Sequence, residues 1–113
     1  MGLLNKLFGR KSNLQSQGAA SIYTLSIDDI FTIKNLGCIV VGIVKGADIK
    51  VNDEVDIIDD NGNRMTSKIK GMENPKVGNM NIAHVGSQVG ILLQNVEAKQ
   101  LHKGDILTNE KIN

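Results

Sequence analysis

Short apolar runs, cut by Gly, Asn and Asp at intervals of roughly ten residues, constrain this sequence more than any other feature. The runs are β-branched in character, with 14 Ile and 9 Val but one Tyr, two Phe and no Trp among 113 residues. β-Branched side chains pack well on a pleated surface, and regularly spaced short strands are typical of barrels and sandwiches. The hydrophobic content of 41% is enough to form a core. The pattern therefore predicts one all-β domain.

Six segments are predicted to be strands. The strongest is residues 38–45, where apolar side chains occur at both parities and Gly42 predicts a bend or a bulge. Asn61-Gly62, between the third and fourth segments, is a strong hairpin signal. The six segments are residues 30–34, 38–45, 54–58, 65–72, 88–93 and 105–107.

The first eleven residues, MGLLNKLFGRK, form a short basic amphipathic leader whose apolar side chains fall at helical spacing. Its apolar members are Leu3, Leu4, Leu7 and Phe8, and its basic members are Lys6, Arg10 and Lys11. The apolar run is too short for a secretory core or a membrane span, and Lys6 stands where N-myristoylation needs Ser or Thr. The leader is predicted to lie on an anionic membrane or to dock into a partner's groove, and the alternative is a frayed terminus.

Composition divides the chain into two parts. Residues 12–21, SNLQSQGAAS, are small and polar without periodicity, which predicts a flexible linker. We therefore assign residues 1–21 to the leader and linker and residues 22–113 to the domain. Residues 1–20 carry a net charge of +3 and the remainder −2, giving +1 overall, so a globally basic nucleic-acid binder is not indicated and no DNA partner is expected. The single cysteine, Cys38, excludes an intramolecular disulfide and favours a reducing, cytoplasmic setting.

Five stretches of the domain resemble, in order and spacing, the second domain of translational GTPases, the six-stranded barrel of elongation factor Tu and its relatives. These stretches are residues 27–37, 39–57, 68–73, 83–93 and 103–107. The resemblance implies a small closed six-stranded, antiparallel-rich β-barrel, here preceded by the leader. Asn52 stands where the family usually has Gly, and Asn also tolerates a positive φ. Ser87 replaces a usual Asp.

In that family the barrel does no chemistry. It sits beside a GTPase domain, contacts ribosomal RNA, and in some members helps to hold the aminoacyl end of tRNA. This sequence has no G-x-x-x-x-G-K-[ST] phosphate loop, so we expect a standalone barrel without a GTPase domain. Glu73 matches a position near the family's tRNA-end pocket, but Asn74-Pro75-Lys76 replaces the basic and aromatic residues that follow in the family.

Arg64, Lys68 and Lys70 share one parity on the predicted fourth strand and therefore project from one face. Such a row can contact a phosphate backbone, and the alternative is a solvated face that keeps the domain soluble. The aromatic residues that base stacking needs lie elsewhere in the sequence. With Glu73, these three residues are the candidates for binding RNA or another partner.

Other chemically capable residues indicate no catalytic or metal site. The carboxylates between Asp53 and Asp60 do not match an EF-hand and are interpreted as solvated turn charges. His84 and His102 have no signature partner nearby in sequence, and Cys38 is expected to be a buried, inert thiol. We therefore expect a protein that is not an enzyme and needs no cofactor or metal.

Three hypotheses for function remain. The leading one is a non-catalytic binding module that recognises a protein or a structured RNA, with the ribosome or tRNA as candidates. The second is a peripheral membrane or complex-anchored adaptor docked through the leader. The third is a barrel that competes with or regulates true translation factors. Open strand edges allow dimerisation, but the sequence does not establish an oligomeric state.

Overall fold

The computed structural model describes residues 21–111 and gives them an all-β architecture. In chain order the strands are β1 (Thr24–Ser26), β2 (Asp29–Ile33), β3 (Gly37–Lys45), β4 (Ile49–Lys50), β5 (Glu54–Ile58), β6 (Arg64–Asn74), β7 (Gly78–Met80), β8 (Ile82–Ala83), β9 (Gln88–Leu93) and β10 (Ile106–Thr108). A short 3₁₀ helix, Ala98–Gln100, follows β9, and residues 21–111 contain no α-helix.

Six strands close into a barrel in the order β1, β10, β5, β6, β9 and β3, and β3 pairs with β1 to complete the ring. Every pair in the ring is antiparallel. The remaining strands lie outside the ring. β2 pairs with β3, β7 pairs with β6, and β4 and β8 form a separate two-stranded sheet. The expected closed six-stranded antiparallel barrel is confirmed.

The strands that form the ring differ from the prediction in one place. The predicted strand at residues 30–34 corresponds to β2, which pairs only with β3 and lies outside the ring. The missing barrel strand is β1, which the sequence pattern did not reveal. Three residues are too few to display a period, and the pairing of β1 depends on β3 and β10, both distant in sequence. The other five predicted strands are present, with ends displaced by at most two residues.

Gly42 lies where the pairing of β3 changes from β2 to β1. Asp29 is opposite Val41, and Leu25 is opposite Val44. A Cβ at Gly42 would lie 2.6 Å from Cδ2 of Leu25 and would also collide with the carbonyl oxygen of Ser26. The ladder with β9 runs through Gly42 without a shift, so this glycine permits a close approach of backbones instead of making the bulge that was one expectation.

Inward-facing aliphatic side chains fill the barrel. Tyr23 adds the one buried aromatic ring among the described residues, and its hydroxyl donates a 2.8 Å hydrogen bond to Oδ2 of Asp53. Cys38 is a buried free thiol, as expected, and burial raises its pKa. The fully enclosed core side chains include Leu25, Ile27, Val40, Val44, Ile49, Val55, Ile69, Val89, Ile91 and Leu107.

Two predicted turns are confirmed. Residues 59–63 connect β5 to β6, with Gly62 at φ 84°. The Asp59 carboxylate accepts hydrogen bonds from the backbone N–H groups of Asn61 and Asn63. Asn52, at φ 79°, adopts the left-handed conformation expected where the family usually has glycine.

Candidate functional site

Lys68 and Lys70 lie on the outward side of β6, as predicted. Both lysines are exposed, whereas Ile69 between them and Ser67 before them face inward and are buried. Lys68 stands opposite Glu54 on β5. Within residues 21–111 neither lysine has a carboxylate within ion-pair distance. Both ammonium groups are therefore available to an external anion.

Arg64 shares their parity but has internal partners. Its Nη1 lies 2.9 Å from Oδ2 of Asp56 and donates to the backbone carbonyl oxygen of Glu110 at 3.1 Å. The side chain is only 23% exposed. The predicted basic row therefore consists of two available lysines and one arginine that stabilises the barrel.

Asp56 is the partner that the sequence interpretation missed. It is 5% exposed and also accepts hydrogen bonds from Thr66 Oγ1 at 2.9 Å and Lys111 Nζ at 3.0 Å. Burial raises the pKa of this carboxyl, but the hydrogen bonds from Lys111, Arg64 and Thr66 outweigh burial, and the net pKa is lowered. The interpretation of the acidic stretch as solvated turn charges is wrong at Asp56. The predicted hairpin could have revealed this partner, because the turn at Asn61-Gly62 places Asp56 opposite Thr66 in the β5–β6 pair.

Glu73 lies apart from the two lysines. In the pairing of β6 with β9, Ile69 faces Leu93 while Gly71 faces Leu92, so the register shifts by one residue at Lys70. Such a bulge bends a strand and re-aims the side chains beyond it. After the bulge Glu73 faces Gly90 of β9. The four candidates on β6 are thus divided between two surfaces.

Glu73 borders a groove of about 560 Å³ on the outer face of β2, β3, β9 and the end of β6. Phe31, Ile33, Ile39 and Val41 supply apolar side chains to it. Its carboxylates are Asp28, Asp29 and Glu73. Gly90 keeps the groove deep, because a Cβ there would lie 3.3 Å from Cγ2 of Ile39.

Phe31 is distant from β6 in sequence, and the sequence interpretation did not connect it with the candidate residues. In the structure it lines the same groove as Glu73, and it is 49% exposed. An exposed ring beside a carboxylate offers a stacking surface and a hydrogen-bond acceptor together. Sequence reasoning missed this site because its members come from strands that only the barrel brings together.

Four of the five stretches that carry the family resemblance contribute to this groove. They supply Phe31 from residues 27–37, Val41 from residues 39–57, Glu73 from residues 68–73 and Gly90 from residues 83–93. The stretches also supply Lys68, Lys70 and most of β5, so the resemblance covers both the groove and the β5–β6 face.

The two histidines lie elsewhere. His84 Nδ1 is 2.9 Å from Oδ2 of Asp48 in an exposed pair, a partner 36 residues away that sequence spacing did not suggest. His102 Nδ1 is 3.9 Å from Oδ2 of Asp105. Across residues 21–111, no group of three or more His, Cys, Asp or Glu side chains has a metal-binding arrangement.

The predicted docking residues of the leader, Leu3, Leu4, Lys6, Leu7, Phe8, Arg10 and Lys11, lie outside the described residues. Their role therefore stays a prediction. Of the helices in the described part of the chain, none has the length and hydropathy to cross a membrane.

A closed antiparallel six-stranded barrel, with its exposed groove on the outer face of the sheet, defines a class of small β-barrel modules. Within that class the chain is a translation-factor domain II-like barrel, of the kind found in elongation factor Tu. No protein-family model matches the sequence. Among solved structures the chain is similar to the apo form of translation elongation factor SelB from Methanococcus maripaludis, with 32% identity and a TM-score of 0.68. The match covers 78% of this chain and 18% of that factor, so the chain spans less than a fifth of its relative's length.

Proposed function

We propose that this chain is a non-catalytic, cytoplasmic binding module that acts in translation and recognises structured RNA of the ribosome or tRNA. The observation that carries the proposal is the convergence of four family-like stretches on the groove that holds Phe31 and Glu73. The similarity to a translation elongation factor supports a role in translation, and the groove supports a role in binding.

The groove offers two of the contacts that an unpaired nucleotide makes, and the phosphate must stay outside it, because the charged side chains of its lining are the carboxylates Asp28, Asp29 and Glu73. A base stacks on the exposed ring of Phe31, since stacking on an aromatic side chain tolerates any base. The carboxylate of Glu73 accepts a hydrogen bond from a ribose 2′-hydroxyl, the group that distinguishes RNA from DNA. The neighbouring apolar side chains of Ile33 and Val41 exclude water from this contact.

Lys68 and Lys70 add the electrostatic part. They precede Glu73 on the same strand by five and three residues, which is at most about 17 and 10 Å along the strand, because the bulge at Lys70 lies in between. A nucleic-acid strand that enters the groove and follows β6 would bring phosphates to both ammonium groups. Arg64 is not part of this contact, because its guanidinium is bound to Asp56.

The test is the salt dependence of binding to fluorescently labelled tRNA and to purified ribosomes. The double variant Lys68→Ala/Lys70→Ala should weaken binding and reduce the slope of log K against log salt by about 1.5, the value for two phosphate contacts. Phe31→Ala and Glu73→Gln should weaken binding without changing the slope. The matched control is Lys50→Ala/Lys99→Ala, which removes the same charge from two exposed positions outside the groove.

Equal affinities for all these variants would contradict the proposal. Ribosome binding that survives high salt and is insensitive to Lys68, Lys70 and Glu73 would assign recognition to a ribosomal protein instead of RNA. If the protein binds neither tRNA nor ribosomes, direct recognition of both is excluded.

A further inference from the structure

β2 is an edge strand with one unpaired side. It pairs with β3, and within residues 21–111 no strand pairs with its other side. Its sequence, Asp-Ile-Phe-Thr-Ile, is mostly apolar and β-branched, and Phe31 at its centre is half-exposed. An open apolar edge of this kind is a template for pairing with a strand of another chain.

We propose that a second copy of this chain pairs with the open edge, so that two β2 strands run antiparallel about a two-fold axis at Phe31. The interface is isologous, because each copy contributes the same strand. The inference goes beyond the proposed function and does not depend on it, since the contact uses the backbone edge of β2 and needs no RNA.

The backbone of β2 restricts the register of this pairing. In an antiparallel ladder alternate residues turn their N–H and C=O groups toward one neighbouring strand, and the residues between them turn theirs to the other side. The Ile30 N–H donates to Oδ1 of the preceding Asp29 at 3.0 Å, so we place Ile30 and Thr32 in the set that faces the open edge. In the dimer the Thr32 carbonyl of the other copy replaces that carboxylate, and two Ile30–Thr32 pairs form, one on each side of the axis.

The charges that flank β2 are self-complementary in the same register. With Phe31 opposite Phe31, Asp28 of one copy stands opposite Lys34 of the other, and the two-fold axis repeats the pair. Within residues 21–111 neither side chain has an opposite charge at ion-pair distance, whereas Asp29 already faces Lys103 Nζ at 3.8 Å. A register displaced by two residues keeps the free backbone groups matched but separates Asp28 from Lys34, so the charges select the register centred on Phe31.

Pairing in this register joins the two barrels through one continuous sheet. Residues directly opposite each other in an antiparallel pair lie on the same face, so the two Phe31 rings stand side by side. Phe31 lines the groove on the outer face of its own barrel. Both grooves therefore open on the same side of the joined sheet and adjoin at the axis, which gives the dimer a longer binding surface than one copy has.

Sedimentation velocity of the full-length protein over a concentration series tests the pairing. The native protein should show a monomer–dimer equilibrium. Asp28→Lys and Lys34→Asp each set like charges opposite each other twice, and each should weaken dimerisation by about tenfold or more. The double variant Asp28→Lys/Lys34→Asp should restore it, and an equimolar mixture of the two single variants should form a heterodimer. Lys50→Asp, which reverses an exposed charge away from β2, is the matched control and should dimerise like the native protein.

Amide chemical shifts locate the contact. The signals of Ile30 and Thr32 should move as the protein concentration rises, while that of Asn79 should not. Asn79 lies on β7, another strand of the same sheet with only one partner among the described residues, and β7 carries no charged side chain. The same spectra verify that each variant is folded.

A native protein that stays monomeric at every concentration would overturn the proposal. A dimer that both single variants retain, with the Ile30 and Thr32 amides unchanged, would overturn it in favour of another surface. Neither readout involves tRNA or ribosomes, so failure of this pairing and failure of the proposed function are distinguishable.

Discussion

The guanidinium of Arg64 and the carboxylate of Asp56 lie 2.9 Å apart across the β5–β6 ladder, with Thr66 and Lys111 as the other partners of that carboxylate. This contact separates two roles within a row of side chains that share one parity. Arg64 binds the Asp56 carboxylate and the Glu110 carbonyl, whereas Lys68 and Lys70 are exposed to solvent. Alternation along a strand reports which face a side chain occupies, but it does not report its partner.

Truncation of Arg64 and of Lys68 should therefore affect stability differently. Arg64→Ala removes a charge-assisted hydrogen bond to a nearly buried carboxylate and should lower the free energy of unfolding by about 1–2 kcal/mol. Lys68→Ala should change it by less than about 0.5 kcal/mol, as is usual for an exposed position. Urea unfolding at pH 7 measures the free energy of unfolding of both variants. A loss for Arg64→Ala as small as the one expected for Lys68→Ala would show that Arg64 has no structural role.

Acid should destabilise the native protein partly through Asp56. Its pKa is lower in the folded state, so its contribution is present above the unfolded pKa of about 3.9 and is lost as the pH falls through the folded pKa. Asp56→Asn should cost about 2 kcal/mol at pH 7. The difference in unfolding free energy between native protein and variant should then shrink below about pH 4. Chemical unfolding at pH 7 and pH 3 gives this difference.

Two other carboxyls should keep the variant acid-sensitive. The hydrogen bond from His84 lowers the pKa of Asp48, and the backbone N–H of Asn63 lowers that of Asp59. A difference between native protein and Asp56→Asn that is constant from pH 7 to pH 3 would contradict the assignment to Asp56.

Alanine at two glycines tests the close approach of Leu25 and Ser26 to Gly42, where the pairing of β3 changes from β2 to β1. Gly42→Ala places a methyl group against Leu25 and the Ser26 carbonyl, and should cost about 3 kcal/mol or prevent folding. Gly71→Ala, also in a strand, meets nothing within 4 Å and should stay within about 1 kcal/mol of the native protein. Thermal unfolding followed by circular dichroism compares them. Similar melting temperatures would mean that Leu25 and Ser26 do not approach Gly42 as closely as the structure shows.

Tyr23 offers a direct optical readout, because it is the sole tyrosine in the sequence. Burial, together with the hydrogen bond to Asp53 and its charge, raises the pKa of Tyr23 well above its usual 10. The contribution of Tyr23 to the free energy of unfolding is therefore fully present below about pH 10. It is lost as the pH rises further, because the phenol ionises first in the unfolded chain. Tyrosinate absorbance should appear together with unfolding. Ionisation near pH 10 in a still-folded protein would contradict the buried Tyr23–Asp53 contact.

Tyr23→Phe provides the control for this alkaline effect. It should lose about 1 kcal/mol at pH 7, the net value of one hydrogen bond, and its stability should lack the alkaline dependence that comes from Tyr23. A variant as stable as the native protein at pH 7 would show that the Asp53 contact contributes nothing to folding.

Local patterns were sufficient for much of the fold. Apolar, β-branched runs bounded by turn residues located five of the six barrel strands, and the turn at Asn61-Gly62 followed from its residue types, whereas the left-handed Asn52 was implied by the family resemblance. These features depend on neighbours within a few residues, so one stretch of sequence contains their cause. The family resemblance supplied what composition did not, namely closure of the sheet into a barrel.

Only the tertiary structure decided which strand closes the ring and where the groove lies. β1 is three residues long and is held by pairing with β3 and β10, so its role depends on partners up to 84 residues away. Phe31, Val41, Glu73 and Gly90 come from four strands and meet only because the barrel places those strands side by side. The sequence by itself determined the six longer or turn-bounded strands and the turn at Asn61-Gly62, because local backbone preferences set them, but not β1, β4, β7 or β8. The groove that holds Phe31 and Glu73 and the Arg64–Asp56 contact were decided by register, which long-range pairing sets.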